Sequence, residues 1–170
     1  MRLQEEALEQ VDLNTYEVLA IAVQVERNGI EFYRKAAGLF HESPAGELFN
    51  QLLQWEQAHA DSFSKMMDDS ASRSWQRGTY SPHRVIIPES KMLAGLAVFG
   101  IHPDPREHFT GKETREEVLR VAINKEKDAV VFYTGLKAFV SDPDDQATLD
   151  EVIQQEMHHV RVLSQALEQV

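Results

Sequence analysis

Glu17–Phe40 reads EVLAIAVQVERNGIEFYRKAAGLF, and Glu117–Val140 reads EVLRVAINKEKDAVVFYTGLKAFV. Laid over one another, the two stretches repeat Glu17, Val18, Leu19, Ala22, Glu26, Phe32 and Tyr33 as Glu117, Val118, Leu119, Ala122, Glu126, Phe132 and Tyr133. The same register resumes further on. LLQWEQAHADSF, from Leu52, lies over VIQQEMHHVRVL, from Val152, so Glu56 and His59 recur as Glu156 and His159. Repetition of this kind means one supersecondary unit used twice.

Each unit reads as a helical hairpin. Leu19, Ala22, Val23, Ile30 and Tyr33 fall at helical spacing, as do Leu119, Ala122, Ile123, Val130 and Tyr133. Asn14 with Glu17, and Thr114 with Glu117, have the spacing of a capping box. Ser43-Pro44 and Asp142-Pro143 each place a capping residue before a proline suited to the first helical position. These signals predict an all-α protein with four helices, at about 14–40, 44–68, 113–140 and 143–169.

The segment from about 69 to 112 is rich in Ser, Arg, Pro and Gly, and a loop of that length needs a reason. Two hairpins related by a twofold axis have parallel second and third helices, so the chain must return the length of the bundle between them. That length is ~38 Å for a helix of about 25 residues. A short helix is expected near Pro88–Phe99, covering its own bundle or a neighbouring subunit, with its own chain the simpler choice. The chain, 1–170, is therefore read as a single domain: repeat one at about 14–68, a central crossover at about 69–112, and repeat two at about 113–169.

The chemistry lies in the acids that sit on apolar stripes. Glu26 shares a stripe with Ala22, Val23, Ile30 and Tyr33, and Glu126 with Ala122, Ile123, Val130 and Tyr133. Glu56 is flanked by Leu52, Leu53 and Phe63, and Glu156 by Val152, Ile153 and Leu163. In each Glu-x-x-His the two side chains, at i and i+3, share one helical face and can reach one ion. One such pair is close to chance. Two at equivalent repeat positions, each following a Glu on the preceding helix, are not. Four carboxylates in one core would repel and take up protons. Two divalent cations, +4 against the −4 of Glu26, Glu56, Glu126 and Glu156, with His59 and His159 neutral, remove that conflict.

Composition narrows the classes. The net charge of −11 disfavours a nucleic-acid partner. The absence of Cys excludes disulfides, zinc-thiolate sites and an appended rubredoxin-type iron site. The start, MRLQEEALEQ, lacks the basic and apolar regions of a secretory signal, and no apolar run approaches the ~20 residues that span a bilayer. A cytoplasmic protein without a membrane partner is expected.

A Glu from each of two helices plus Glu-x-x-His from the other two is the di-metal pattern of ferritin-like bundles. With ERNGIEFYRKAA, EQAH and the Glu126–Tyr133 stretch, the sequence resembles the ferritin-like superfamily and, within it, the rubrerythrin-like branch. The resemblance covers both hairpins and leaves out the central segment. It implies a ferritin-like four-helix bundle with a di-iron centre, two Fe ions per chain, with Mn or Zn also suited to such ligands. It implies that Glu56 and Glu156 bridge the ions, that Glu26 and His59 serve one, and that Glu126 and His159 serve the other. It further implies an oxidoreductase reacting with oxygen or peroxide, an external electron-donor protein, and a homo-oligomer, with a dimer favoured. Iron binding or storage without turnover is the alternative, and a structural bundle with a vestigial site a third reading. Rubrerythrins carry one more Glu, at the position of Ala129, and a rubredoxin-like domain; both are missing here. The six remaining ligands look more like those of bacterioferritin.

No catalytic group beyond the ligands is expected. Tyr33 and Tyr133, two turns after Glu26 and Glu126, are read either as hydrogen-bond donors to a ligand Glu or as ordinary core residues. Gly29 and Ala129 leave room for a small ligand or for close helix packing. Trp55 is read as packing, Met66 and Met67 as core near a helix end, and His158 as surface. His41, His83, His102 and His108 are read as solvated.

Overall fold

The computed structural model describes residues 15–76 and 109–170. Helix α1 spans Thr15–Leu39 and α2 spans Pro44–Gln76. Helix α3 spans Arg115–Leu136, runs into a 3-10 turn at Lys137–Phe139, and is followed by α4, Pro143–Glu168. The expected short helix near Pro88–Phe99 lies outside the described residues, as do Asn14, His83, His102 and His108. Among the described residues no helix is long and apolar enough to cross a membrane.

The helix starts follow the capping chemistry. Thr114 accepts from the Glu117 amide and Glu117 answers to the Thr114 amide, a complete capping box. Asp142 accepts from the amides of Asp144 and Asp145, with Pro143 at the first turn. In the first hairpin Ser43 Oγ donates to the Phe40 carbonyl at 2.8 Å and accepts from the Gly46 amide at 3.3 Å. The turn folds back so tightly that a Cβ on Gly46 would lie 2.2 Å from the Phe40 carbonyl oxygen, so only glycine fits there.

Two helix ends differ from expectation. Helix α2 continues past 68 to Gln76 because Asp68–Gln76 contains no proline or glycine to stop it. Ser70 is buried there, and Arg73 forms ion pairs with Asp145 and, at 3.7 Å, with Asp142 at the start of α4. Tertiary contact thus holds a polar stretch in helix. Helix α3 closes at Leu136, short of 140, and tightens into the 3-10 turn.

Long-range contacts fix the topology. The Thr15 hydroxyl donates to the Phe139 carbonyl, joining the start of α1 to the end of the α3 segment. Arg73 joins the end of α2 to the start of α4. Hence α1 runs antiparallel to α3, and α2 to α4. Since α1 and α2 form a hairpin, α2 and α3 are parallel. Leu19, Phe49, Leu52, Phe63, Leu119, Leu149 and Leu163 are all fully buried and form the core between the four helices. Each buried Leu or Phe contributes roughly 1.5–3 kcal/mol, an upper estimate for area removed from water. That apolar frame is what holds acids in the interior.

Candidate metal centre

Six polar side chains break the apolar interior. Glu26 projects from α1, Glu56 and His59 from α2, Glu126 from α3, and Glu156 and His159 from α4. None is more than 2% exposed. Glu156 lies between the imidazoles: its Oε1 is 2.9 Å from His59 Nδ1, and its Oε2 is 2.9 Å from His159 Nδ1. His59 Nδ1 is also 3.6 Å from Glu26 Oε2. His159 Nδ1 is 3.4 Å from both Glu56 Oε1 and Glu126 Oε2.

The donors fall into two overlapping groups. One is Glu26, Glu56, His59 and Glu156; the other is Glu56, Glu126, Glu156 and His159. Within each, one ligand atom per residue lies within 4.8 Å of the others, near enough to surround a single cation. Glu56 and Glu156 belong to both groups; each of the other four belongs to one.

The electrostatics of this cluster are those of too many acids in too little water. Burial, then the charge of Glu156, pushes Glu56 well above the ordinary carboxyl range. The same two causes raise Glu126 to about 8. Burial also acts to raise Glu156, but the two imidazoles against its oxygens outweigh it and hold that carboxyl low. Burial acts to lower both imidazoles, and nearby carboxylates reverse this: Glu156 and Glu26 raise His59 to about 11, and Glu126 and Glu156 raise His159 to about 9. Even so, seven buried atoms make no well-aligned hydrogen bond and meet only ionic contacts with one another: Glu26 Oε2, Glu56 Oε1, His59 Nδ1, Glu126 Oε2, both oxygens of Glu156, and His159 Nδ1. Among the described residues these are the buried side-chain atoms so placed, and every one belongs to the six. Buried polar atoms are seldom left unsatisfied. Inward-facing carboxylate oxygens and imidazole nitrogens suit a pair of divalent cations in number, charge and donor type.

No protein-family model matches the chain, and no curated protein does. Its fold is similar to a crystal structure, at 2.30 Å, of a Thermotoga maritima protein described as ferritin-like and diiron-carboxylate. The TM-score is 0.69 at 29% sequence identity, over 92% of this chain and 95% of that one. The chain has a ferritin-like fold.

In this ferritin-like bundle the tyrosines act across the hairpins. Tyr33, on α1, donates its hydroxyl to Oε1 of Glu126 on α3, and Tyr133, on α3, donates to Oε1 of Glu26 on α1. Of the two readings of these tyrosines, the hydrogen-bonding one is what the structure shows. The partner in each case is the glutamate of the other repeat, which follows from the antiparallel pairing of α1 with α3. Each phenol occupies the outer oxygen of its glutamate and leaves Oε2 facing the cluster. Burial and then the charge of the bonded glutamate hold both phenols well above their usual range, so they stay protonated donors.

Two neighbours were not singled out for the ferritin-like site by sequence reasoning. Gln155 Oε1 lies 2.8 Å from His59 Nε2. Trp55, read as packing, lays its ring flat on His159, with centroids 4.9 Å apart and planes 8° apart. Both residues directly precede the glutamate of a Glu-x-x-His, so the repeat itself was the available signal. His158 is exposed and meets Trp55 edge-on, and His41 is exposed beside Glu42. Ala129 is buried and brings no carboxylate.

Proposed function

We propose that this chain is a di-iron oxidoreductase that reacts with oxygen or peroxide and draws electrons from a separate protein. One observation carries the reading: two buried donor groups that share Glu56 and Glu156, with their inward atoms lacking well-aligned hydrogen bonds. In this reading Glu26 with His59 would hold one ion and Glu126 with His159 the other, with Glu56 and Glu156, common to both groups, available to either. The diiron-carboxylate description of the Thermotoga maritima protein favours iron over manganese or zinc. Bound iron would supply two one-electron redox centres side by side in a site screened from bulk water.

The chain's own residues do the rest. Tyr133 and Tyr33 orient Glu26 and Glu126 by occupying one oxygen of each. The surrounding Leu, Phe and Ala side chains keep the dielectric low, which strengthens every interaction of the charged ligands. With Ala129 where rubrerythrins add a carboxylate, the two donor groups among the described residues comprise six protein ligands.

Anaerobic loading with ferrous ion, followed by mixing with oxygen or with peroxide in a stopped-flow instrument, tests the proposal. Iron oxidation should outpace that of free ferrous ion at the same pH. Equal rates for the loaded protein and free ion would remove the enzymatic reading.

A further inference from the structure

We infer that the two cation positions are unequal, that Gln155 is the positioning residue that makes them so, and that the position served by Glu26 and His59 takes its ion first. This rests on the di-metal reading above. The private ligands of the two positions otherwise match: one Glu, one His, and one tyrosine hydroxyl bound to that Glu from the opposite hairpin. The difference lies behind the imidazoles. Both turn Nδ1 toward the carboxylates, so a bound ion needs the lone pair of Nδ1 and the ring proton on Nε2.

For His59 the carbonyl oxygen of Gln155 stands at hydrogen-bond distance from Nε2 and accepts that proton. The bond selects the tautomer with Nδ1 open and makes Nδ1 a better donor. For His159 the repeat-equivalent residue is Trp55. A tryptophan has one N–H donor and no acceptor, and here it presents its ring face. It can pack on His159 but cannot take its proton. One residue pair at one repeat position therefore supports one imidazole chemically and the other only sterically.

Losing an outer hydrogen bond of this kind typically costs about 10–100-fold in metal affinity. Gln155 is exposed, and water can fill part of its role, so the expected preference is near the lower end, about tenfold. Exposure also means that replacing Gln155 leaves the core intact.

The test uses the full chain, stripped of metal and labelled with 15N at histidine, with Zn(II) added stepwise and followed by NMR. At one equivalent a tenfold preference fills the His59 position about three times as often as the His159 position, so the Nδ1 signal of His59 should change about three times as much. Gln155→Leu should abolish the order, Gln155→Glu, which keeps an acceptor, should preserve it, and Trp55→Gln should bring His159 level with His59. Both signals changing equally from the first addition, or an unchanged order in Gln155→Leu, overturns the inference while leaving the paired site standing. Two equivalents that move neither imidazole would overturn the di-metal reading itself.

Discussion

The hairpin α1–α2 and the hairpin α3–α4 carry the same chemistry in different settings. Glu26, Tyr33, Glu56 and His59 have identical counterparts in Glu126, Tyr133, Glu156 and His159, and all eight are buried. One step outward the match fails: Val25 against Lys125, Gly29 against Ala129, Trp55 against Gln155. The entries into the second helix differ as well, with a glycine pressed on a carbonyl in one and an aspartate cap in the other. What faces the shared centre is held constant, because a change there strands a buried charge. What merely supports it can diverge, because the cost is graded.

The largest effect should separate shared ligands from private ones. Glu156→Ala removes a donor common to both groups and leaves two imidazoles without the carboxylate between them. We expect both ions to be lost, read as metal per chain after dialysis. Glu26→Ala removes a donor from one group only, so about one ion per chain should persist. Equal losses in the two variants would erase the distinction between shared and private positions.

Protonation provides the next test. Glu56 and Glu126, like His59 and His159, hold protons more tightly in the folded cluster than in the unfolded chain. A group raised in this way stabilises the fold at low pH, and its contribution fades as pH rises through the folded value. Glu156, held low, works the other way: its contribution is lost as pH falls. The four raised groups outnumber it, so the melting temperature of metal-free protein should fall between about pH 6 and pH 9, by on the order of 10 °C. A cation replaces those protons, so zinc-loaded protein should lack the fall. Calorimetry in buffers of different ionisation enthalpy should also register proton release on metal uptake. A metal-free melting temperature that rises over this range would contradict the proton-laden cluster.

A smaller effect concerns the tyrosines, where the hairpins trade support. Tyr33→Phe leaves an oxygen of Glu126 without its donor, and Tyr133→Phe does the same to Glu26. Each should weaken ion binding by about 10–100-fold, mainly at the position served by the glutamate of the other hairpin. Spectra of one-equivalent Co(II) complexes would show which position is affected. Weakening within the same hairpin would contradict the crossed arrangement.

The bundle and its six polar core residues were legible because both depend on period and repetition. Glu at a helical position lined by Leu, Val and Tyr must be buried, and two copies of Glu-x-x-His must face each other once the hairpins pair. The crossing of Tyr33 to Glu126 was not legible: residue spacing puts Tyr33 on the face of its own Glu26, two turns away, and only the antiparallel contact of α1 with α3 brings Glu126 to it. The extension of α2 to Gln76 was hidden for a similar reason. Asp68–Gln76 looks like loop by composition, and the ion pairs of Arg73 to a distant helix are what give it structure. Gln155 was obscured because an exposed polar residue carries no local sign of touching a buried imidazole.

The weakest predicted effects fall where the hairpins differ most, at their turns and caps. Gly46→Ala forces a methyl group onto the Phe40 carbonyl, and the neighbour that would have to yield is backbone. A cost of about 1–3 kcal/mol is expected, which for a chain of this size lowers the melting temperature by about 2–4 °C per kcal/mol. In the second hairpin Thr114→Ala deletes the cap that bonds the Glu117 amide, at an exposed helix start where water can replace part of what is lost. About 1 kcal/mol is the typical cost of such a change. Gly46 and Thr114 both lie outside the two donor groups, so ion binding should survive in both variants. If Thr114→Ala proved costlier than Gly46→Ala in thermal melts, the tight turn of the first hairpin would be the more pliable of the two, and the close approach at Phe40 would not be what demands glycine there.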